Sequence, residues 1–262
     1  MKPTVLMPWL FRRTAPLAPL ASLTFGACSD VGLIRRDNQD HFGVFPEQRP
    51  TLFVVADGMG GHADGGTASR VAVETLAEAF LADEGPATHR LASAVRAANA
   101  AVWREAQNNG GPRRMGTTCT ALAIEMDRAV LAHVGDSRAY RVSGAGLEQL
   151  SPDHTLVAEL IARGLLTEAE AARHPQRHVL TRALGVGPEV DAFVEDLGPT
   201  QPGDTYVLCS DGLAPVEAEE VGRVAAGYGP QAAAEWLVAR ANALGGPDNI
   251  TVIVIRLHPG AD

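Results

Sequence analysis

Five aspartates stand where strands are expected to begin or end. Asp57 closes the apolar run Leu52-Phe53-Val54-Val55-Ala56 and is followed by Gly58-Met59-Gly60-Gly61-His62. Asp136 follows a β-like run at 129–134 across Gly135, and Asp211 follows another at 205–210. Asp40 and Asp248 each come just before an apolar stretch. In an antiparallel sheet the end of one strand lies beside the start of its neighbour, so the five acids can meet on one rim. Carboxylates brought together repel and raise one another's pKa; cations that neutralise them make such a cluster tolerable. Oxygen ligands, with no close histidine pair and no cysteine pair, suit magnesium or manganese rather than zinc. More acids than one ion needs point to two ions sharing a water, whose pKa they lower toward neutrality. For any one acid taken alone, a turn or cap role is the simpler reading; the set as a whole favours a metal centre. Arg35 and Arg36 add a guanidinium suited to bidentate phosphate contact, with Arg36 reading as the surface member of the pair. Acids, metals and one arginine describe metal-assisted hydrolysis of a phosphate ester.

The elements that must position these residues follow from periodicity. β-branched and alternating runs give strands at 20–27, 41–45, 52–56, 117–125, 129–134, 139–142, 147–150, 190–197, 205–210 and 250–257. Asp57 is expected just past its strand, on a glycine loop able to approach a ligand. Apolar positions at helical spacing, such as Ala68, Val71, Ala72, Leu76 and Phe80, give helices at 65–82, 87–108, 216–226 and 230–244. Asn109, Gly110, Gly111 and Pro112 end the second of these. A further helical pattern runs from Asp153, a candidate N-cap, to about Arg173, broken at Gly164. Strands dominate and helices come in pairs, an order that suits antiparallel sheets covered by helix pairs better than βαβ units. One domain is expected from residue 20 onward.

Composition narrows the functions. A chain of 262 residues with 46% hydrophobic content can bury a sizeable core, and a formal charge of −9 argues against a nucleic-acid partner. Cys28, Cys119 and Cys209 are scattered through strand-like runs without metal-site spacing, as buried thiols in a reducing compartment would be. Residues 1–19 carry Lys2, Arg12, Arg13 and several prolines, which interrupt the apolar core a signal peptide needs. They read as an irregular extension. Phe25-Gly26-Ala27-Cys28 offers a lipoprotein-like alternative, but the cysteine also fits a strand. No run is long enough to span a bilayer, and a cytoplasmic location is expected.

An ordered series of motifs carries a resemblance. Ser29-Asp30-Val31-Gly32, Arg35 with Asn38-Gln39-Asp40, Asp57-Gly58-Met59-Gly60-Gly61-His62, Gly116-Thr117-Thr118, Val134-Gly135-Asp136-Ser137-Arg138, Leu180-Thr181-Arg182-Ala183-Leu184-Gly185, Ser210-Asp211-Gly212 and Pro247-Asp248-Asn249 span most of the chain. In that order they resemble the bacterial PP2C-type, or PPM, metal-dependent serine/threonine protein phosphatases. The resemblance implies an α+β fold, a four-layer αββα sandwich of two antiparallel sheets flanked by helix pairs. It implies Mn2+ or Mg2+ as cofactors, with two core ions and a weaker third. By position Asp57 would bridge the core ions, the Gly58 carbonyl would serve one of them and Asp211 and Asp248 the other. Asp40 would hold metal-bound water, Asp136 with Asp211 would form the third site, and Arg35 would bind the substrate phosphate. Residues 151–177 would be the flap, variable in the family and tied to substrate choice. Implied partners are phosphoserine and phosphothreonine proteins and a cognate serine/threonine kinase, with a monomeric enzyme attacking through metal-bridging hydroxide. Two departures stand out. Gln39 occupies a place often held by glutamate, and Met59 stands where eukaryotic members carry a histidine proposed as general acid. His62 is near, but reads equally as a solvent-facing residue at a helix start. The alternative, from another functional class, is a PP2C-like pseudo-enzyme kept as a phosphoprotein-binding module.

Overall fold

Side chains alternate across a strand, so parity decides which layer each residue enters. In β3 (Thr51–Gly60) Leu52, Val54 and Ala56 point one way while Phe53 and Val55 point the other, and all five are fully buried. The first set packs under the helices α1 (Asp64–Ala82) and α2 (Ala87–Asn108), against Leu76, Phe80, Leu91 and Val95. The second set faces another sheet, against Tyr206, Leu208, Ile253 and Ile255. A computed structural model describes residues 22–46, 50–60, 64–108, 115–125, 128–144 and 146–259 of the chain.

One sheet has the order β1 (Ser22–Asp30), β11 (Ile250–His258), β10 (Thr205–Cys209), β7 (Arg138–Ser143), β8 (Gly146–Gln149). The other runs β2 (Asp40–Phe45), β3, β5 (Cys119–Glu125), β6 (Arg128–Val134), β9 (Phe193–Pro199), with β4 (Met115–Thr117) paired to β3. The pairings are antiparallel. Two more helices, α5 (Ala218–Gly227) and α6 (Pro230–Ala243), cover the outer face of the first sheet through Val224 and Leu237. The layers are therefore helices, sheet, sheet, helices, the αββα sandwich the motifs imply. Each fully buried Leu, Ile, Val or Phe contributes about 1.5–3 kcal/mol, so the three apolar layers hold the sandwich and leave its rim available for polar residues.

Several expectations shift. β3 does not stop at Ala56; it continues through Asp57 to Gly60, because β4 pairs with its far half in the register Gly58↔Thr117, Met59↔Gly116. The single strand read at 117–125 is split at Thr118, where pairing with β3 passes from β4 to β5. The first strand runs three residues further than expected, to Asp30, since its whole length ladders with β11. The helical stretch after Asp153 is two short helices, α3 (Leu156–Ala162) and α4 (Glu168–Ala171). Thr155, not Asp153, caps α3, its hydroxyl accepting from the Ala158 amide. Asp153 is held elsewhere, by a bidentate contact from Arg138 at 2.9 and 2.5 Å. The three cysteines are free thiols, in or at the edge of the core. The readings made for residues 1–19, for Gly61 and His62, and for the helix stop at 109–112 lie outside the described residues.

Candidate metal centre

The layer between the sheets changes character along its length. On β3 the inward face reads Phe53, Val55, then Asp57; on its neighbour β2, in reverse, Val44, Phe42, then Asp40, with Asp40 directly opposite Asp57. The other strands do the same. Leu208 is followed on the same face by Ser210, Ile253 is preceded by Thr251, Leu122 by Thr120 and Thr118, and Leu131 is followed by His133. One end of an apolar layer thus becomes a polar rim through strict period-2 alternation. Like charges directly opposite on paired strands are destabilising, so the Asp40–Asp57 pair is an electrostatic cost built into the rim.

Asp40 is buried (7% exposed) and clamped from the opposite sheet. Ser210 Oγ and Thr251 Oγ1 each donate to its Oδ2 at 2.7 Å, and the Ser210 Oγ in turn accepts from the Thr251 amide at 2.9 Å. Its Oδ1 is buried with no hydrogen-bond partner. Burial, set against those two hydroxyls and reinforced by the Asp211 and Asp248 charges, pushes its pKa up to about 6. The backbone of Asp57 is fixed from β4 and the start of β5. Thr118 Oγ1 accepts from its N–H (2.8 Å), while Thr118 N–H (2.9 Å) and Thr117 Oγ1 (2.8 Å) donate to its carbonyl. The Asp57 side chain is driven well above the usual carboxylate range by burial and by the charges of Asp40, Asp211, Asp136 and Asp248. That list places all five sequence-read acids within reach of one another.

Asp136 sits on a corner built around Gly135 at φ +115°, where a Cβ would lie 2.6 Å from Thr118. Two stacked histidines, 4.9 Å between ring centroids, hold the corner. His133 Nε2 donates to the Gly135 carbonyl (3.0 Å) and its Nδ1 accepts from Thr120 Oγ1 (2.9 Å); His154 Nδ1 accepts from the Gly135 amide (3.1 Å). Burial lowers the His133 pKa to about 4, so both rings act as neutral struts. Burial together with Asp211 and Asp153 raises Asp136 to about 7. Asp211 opens a short 3-10 turn after β10, hydrogen-bonds Asp57, and is itself raised by burial and Asp248; its Oδ1 too is buried without a partner.

Asp248 and Arg35 come from opposite ends of the chain. Arg35 Nη2 donates to Asp248 Oδ2 at 2.6 Å, in a contact half open to solvent. The loop carrying Arg35 is bolted down by Asn249. Its Oδ1 accepts from the Gln39 amide (2.8 Å) and its Nδ2 donates to the carbonyls of Val31 (2.9 Å) and Asp37 (3.0 Å). Asn249→Ala removes all three bonds from a buried side chain and is expected to cost roughly 2–3 kcal/mol. Urea titration would read this as a lower midpoint with an unchanged slope; an unchanged midpoint would contradict the fastening role.

A cleft of about 940 Å³ lies over the rim, lined among others by Arg35, Asp57, Asp136, Asp211 and Asp248 on one side and by Arg177, His178 and Arg182 on the other. The last three were not singled out from sequence as site residues; Arg182 stood within the motif Leu180–Gly185, and Arg177 and His178 were marked only by their place at the end of or just after the 151–177 segment. The Ser210–Thr251 clamp and the His133–His154 struts were also missed, although the parity of the strands read at 129–134, 205–210 and 250–257 turned His133, Ser210 and Thr251 inward. Gln39 and Met59 line the cleft, so both departures from the family pattern lie at the site.

Among the described residues no three His, Cys, Asp or Glu side chains form a ready-made metal cage. Asp248 is turned to Arg35. The donor set nevertheless fits hard divalent ions. It offers buried carboxylate oxygens without partners on Asp40 and Asp211, and magnesium-type sites take one or two carboxylates and keep several waters.

Fold and rim together define an αββα sandwich whose acidic rim suits hard cations, with a cleft of about 940 Å³ over it. The chain belongs to the protein phosphatase 2C family, whose model matches residues 35–248. It is 37% identical over 240 residues to the serine/threonine phosphatase Stp of Listeria monocytogenes, covering 87% of this chain and 93% of that one. The structure of the Mycobacterium tuberculosis serine/threonine phosphatase PstP/Ppp superposes with a TM-score of 0.82 at 37% identity, over 90% of this chain and 99% of that one. A structure of the catalytic domain of PstP in complex with two manganese ions matches with a TM-score of 0.76 at 35% identity, over 90% and 98% of the two chains.

Proposed function

We propose that this chain is a manganese- or magnesium-dependent protein serine/threonine phosphatase that hydrolyses phosphoserine and phosphothreonine. The observation that carries the reading is the convergence of Asp40, Asp57, Asp136, Asp211 and Asp248 on one rim, with carboxylates pushed up by each other and by burial. Asp57, Asp211, Asp248 and the Gly58 carbonyl are assigned to the two core ions, Asp40 to their water shell, and Asp136 with Asp211 to a weaker third site. When bound, such ions screen the phosphate charge and lower the pKa of a coordinated water toward neutrality.

The chain's own residues do the rest. Ser210 and Thr251 hold Asp40 in one rotamer, and Thr117 and Thr118 fix the Asp57 backbone, so the acids are positioned before substrate arrives. Arg35 binds the phosphate. A guanidinium carries five donors, and the bond to Asp248 leaves others for a phosphate oxygen. Met59 has no proton to give, so the departing serine or threonine alkoxide takes its proton from water or another cleft group. The segment 151–177 is assigned as the flap, since α3 and α4 line a cavity shared with Asp136 and Asp211 and Arg177 lines the cleft. The phosphoprotein-binding alternative would call for replaced acids, and all are in place.

Substrates are phosphorylated proteins; a cognate serine/threonine kinase as partner, a monomeric state and a cytoplasmic location complete the proposal. No described helix is long and apolar enough to cross a membrane. The test is manganese-stimulated turnover of a phosphothreonine peptide, abolished by chelation. Arg35→Ala is expected to raise KM by roughly 10- to 100-fold, the loss of a charge-assisted hydrogen bond worth about 1.5–3 kcal/mol, with a smaller effect on kcat. An unchanged KM would move the phosphate contact to another residue.

A further inference from the structure

A second cavity, of about 560 Å³, runs under the flap beside the cleft. Its size falls within the range of ligand sites in proteins. Val157 and Ile161 of α3 form its roof, and Leu213, Val216 and Val221 form its opposite wall. Arg138 and Asp153 line it together and are locked in their bidentate pair, while Asp136 and Asp211 bring the acid rim into its wall. Glu168 and Glu217 also line it and would repel an acidic guest. At one end it meets the cleft, for Asp136, His178 and Asp211 line both. The chamber thus has an aliphatic surface beside the acid rim, part of it supplied by the flap and part by the body.

Resting on the phosphatase reading, we propose that this chamber is a specificity subsite that takes the apolar side chain of a residue next to the phosphorylated serine or threonine. With the phosphate held at the rim, an adjacent residue lies one Cα step of about 3.8 Å away, close to the mouth shared by the two cavities. An aliphatic or aromatic side chain entering there is removed from water against Ile161, Leu213 and Val216 without stripping any unpaired charge. A small polar neighbour leaves that aliphatic surface uncovered, and an acidic one meets Glu168, Glu217 and the acid rim. The preferred substrate class is therefore a phosphopeptide with a large apolar residue beside the phosphoresidue, and the flap acts on substrate choice by supplying the roof of this chamber.

The test is a panel of phosphothreonine peptides carrying Leu, Phe, Ala, Ser or Asp on either side of the phosphoresidue, with p-nitrophenyl phosphate as a substrate lacking neighbours. The wild-type chain with manganese is expected to favour Leu or Phe over Ser or Asp by about 10-fold or more in kcat/KM, the range an apolar pocket can supply. Ala158→Trp, which fills the chamber from α3, and Ile161→Ser, which strips its roof, are each expected to erase the preference and leave p-nitrophenyl phosphate turnover unchanged. Wild-type turnover with no preference, or a preference that survives both variants, overturns the subsite alone. A wild type without manganese-stimulated p-nitrophenyl phosphate turnover overturns the phosphatase reading and the subsite with it.

Discussion

Asp57→Asn is expected to lower manganese-dependent turnover of p-nitrophenyl phosphate by about 10³-fold while making the chelated protein more stable. The two effects have one cause. Asp57 stands opposite Asp40 in the β2–β3 register and within the fields of Asp211, Asp136 and Asp248. Without cations its charge is a liability; with them it is the centre of the site. Lewis-acid assistance is worth several kcal/mol at the transition state, and about 4 kcal/mol corresponds to 10³-fold in rate. Asparagine keeps the shape and the backbone bonds to Thr117 and Thr118, so the fold should be untouched. Asp211→Asn should behave alike. Turnover assays and melting curves in EDTA read the two halves separately. Near-normal turnover in both variants would contradict the site, and a lower melting temperature in EDTA would contradict the electrostatic account.

The metal-free protein should lose stability as pH rises toward and through 7, and manganese should remove that loss. Asp40 and Asp136 have folded pKa values of about 6 and about 7, above the ordinary value near 3.9. Groups raised in the folded state bind more protons there than in the unfolded chain, so their contribution is full below about pH 4 and disappears as pH climbs through the folded pKa. Asp57 and Asp211 shift the same way. The buried histidines act oppositely: His133, lowered to about 4, and His154 and His41, also lowered, favour unfolding as pH falls below about 6.5. Above pH 6.5 the acids act alone, which makes 6.5–8 the decisive window. Divalent ions bind the charged carboxylates, so the manganese-induced rise in melting temperature should grow with pH across it. A chelated protein whose melting temperature is flat or rises over that window would contradict the clustered charges.

How much of this was legible beforehand varies by element. β3 and β11 announced themselves, because short apolar runs rich in Val and Ile or Phe, bounded by glycine or proline turn signals, read as strands. Helices α1, α2, α5 and α6 were found within about two residues, since their apolar positions recur at helical spacing. The segment after Asp153 was misjudged for a local reason: Asp and Thr are both good caps, and the choice fell to Thr155 only because Arg138, on a distant strand, claims Asp153. The continuation of β3 through Asp57 was hidden for a similar reason. A three-residue strand such as β4 has no period of its own to read, and its existence depends on β3 being there to pair with.

The succession of strands along the chain, the alternation of faces within each and the placing of five aspartates at or near strand ends were written in the sequence, because alternation and turn chemistry are properties of neighbours along the chain. That those ends share one rim, that Ser210 and Thr251 cross the sandwich to grip Asp40, that Asp248 meets Arg35, and that a chamber opens under α3 were decided only by the tertiary structure. The reason is physical: burial, like-charge repulsion and side-chain hydrogen bonds act between residues as many as 234 positions apart, and no local pattern records a force whose other partner is chosen by how two sheets stack.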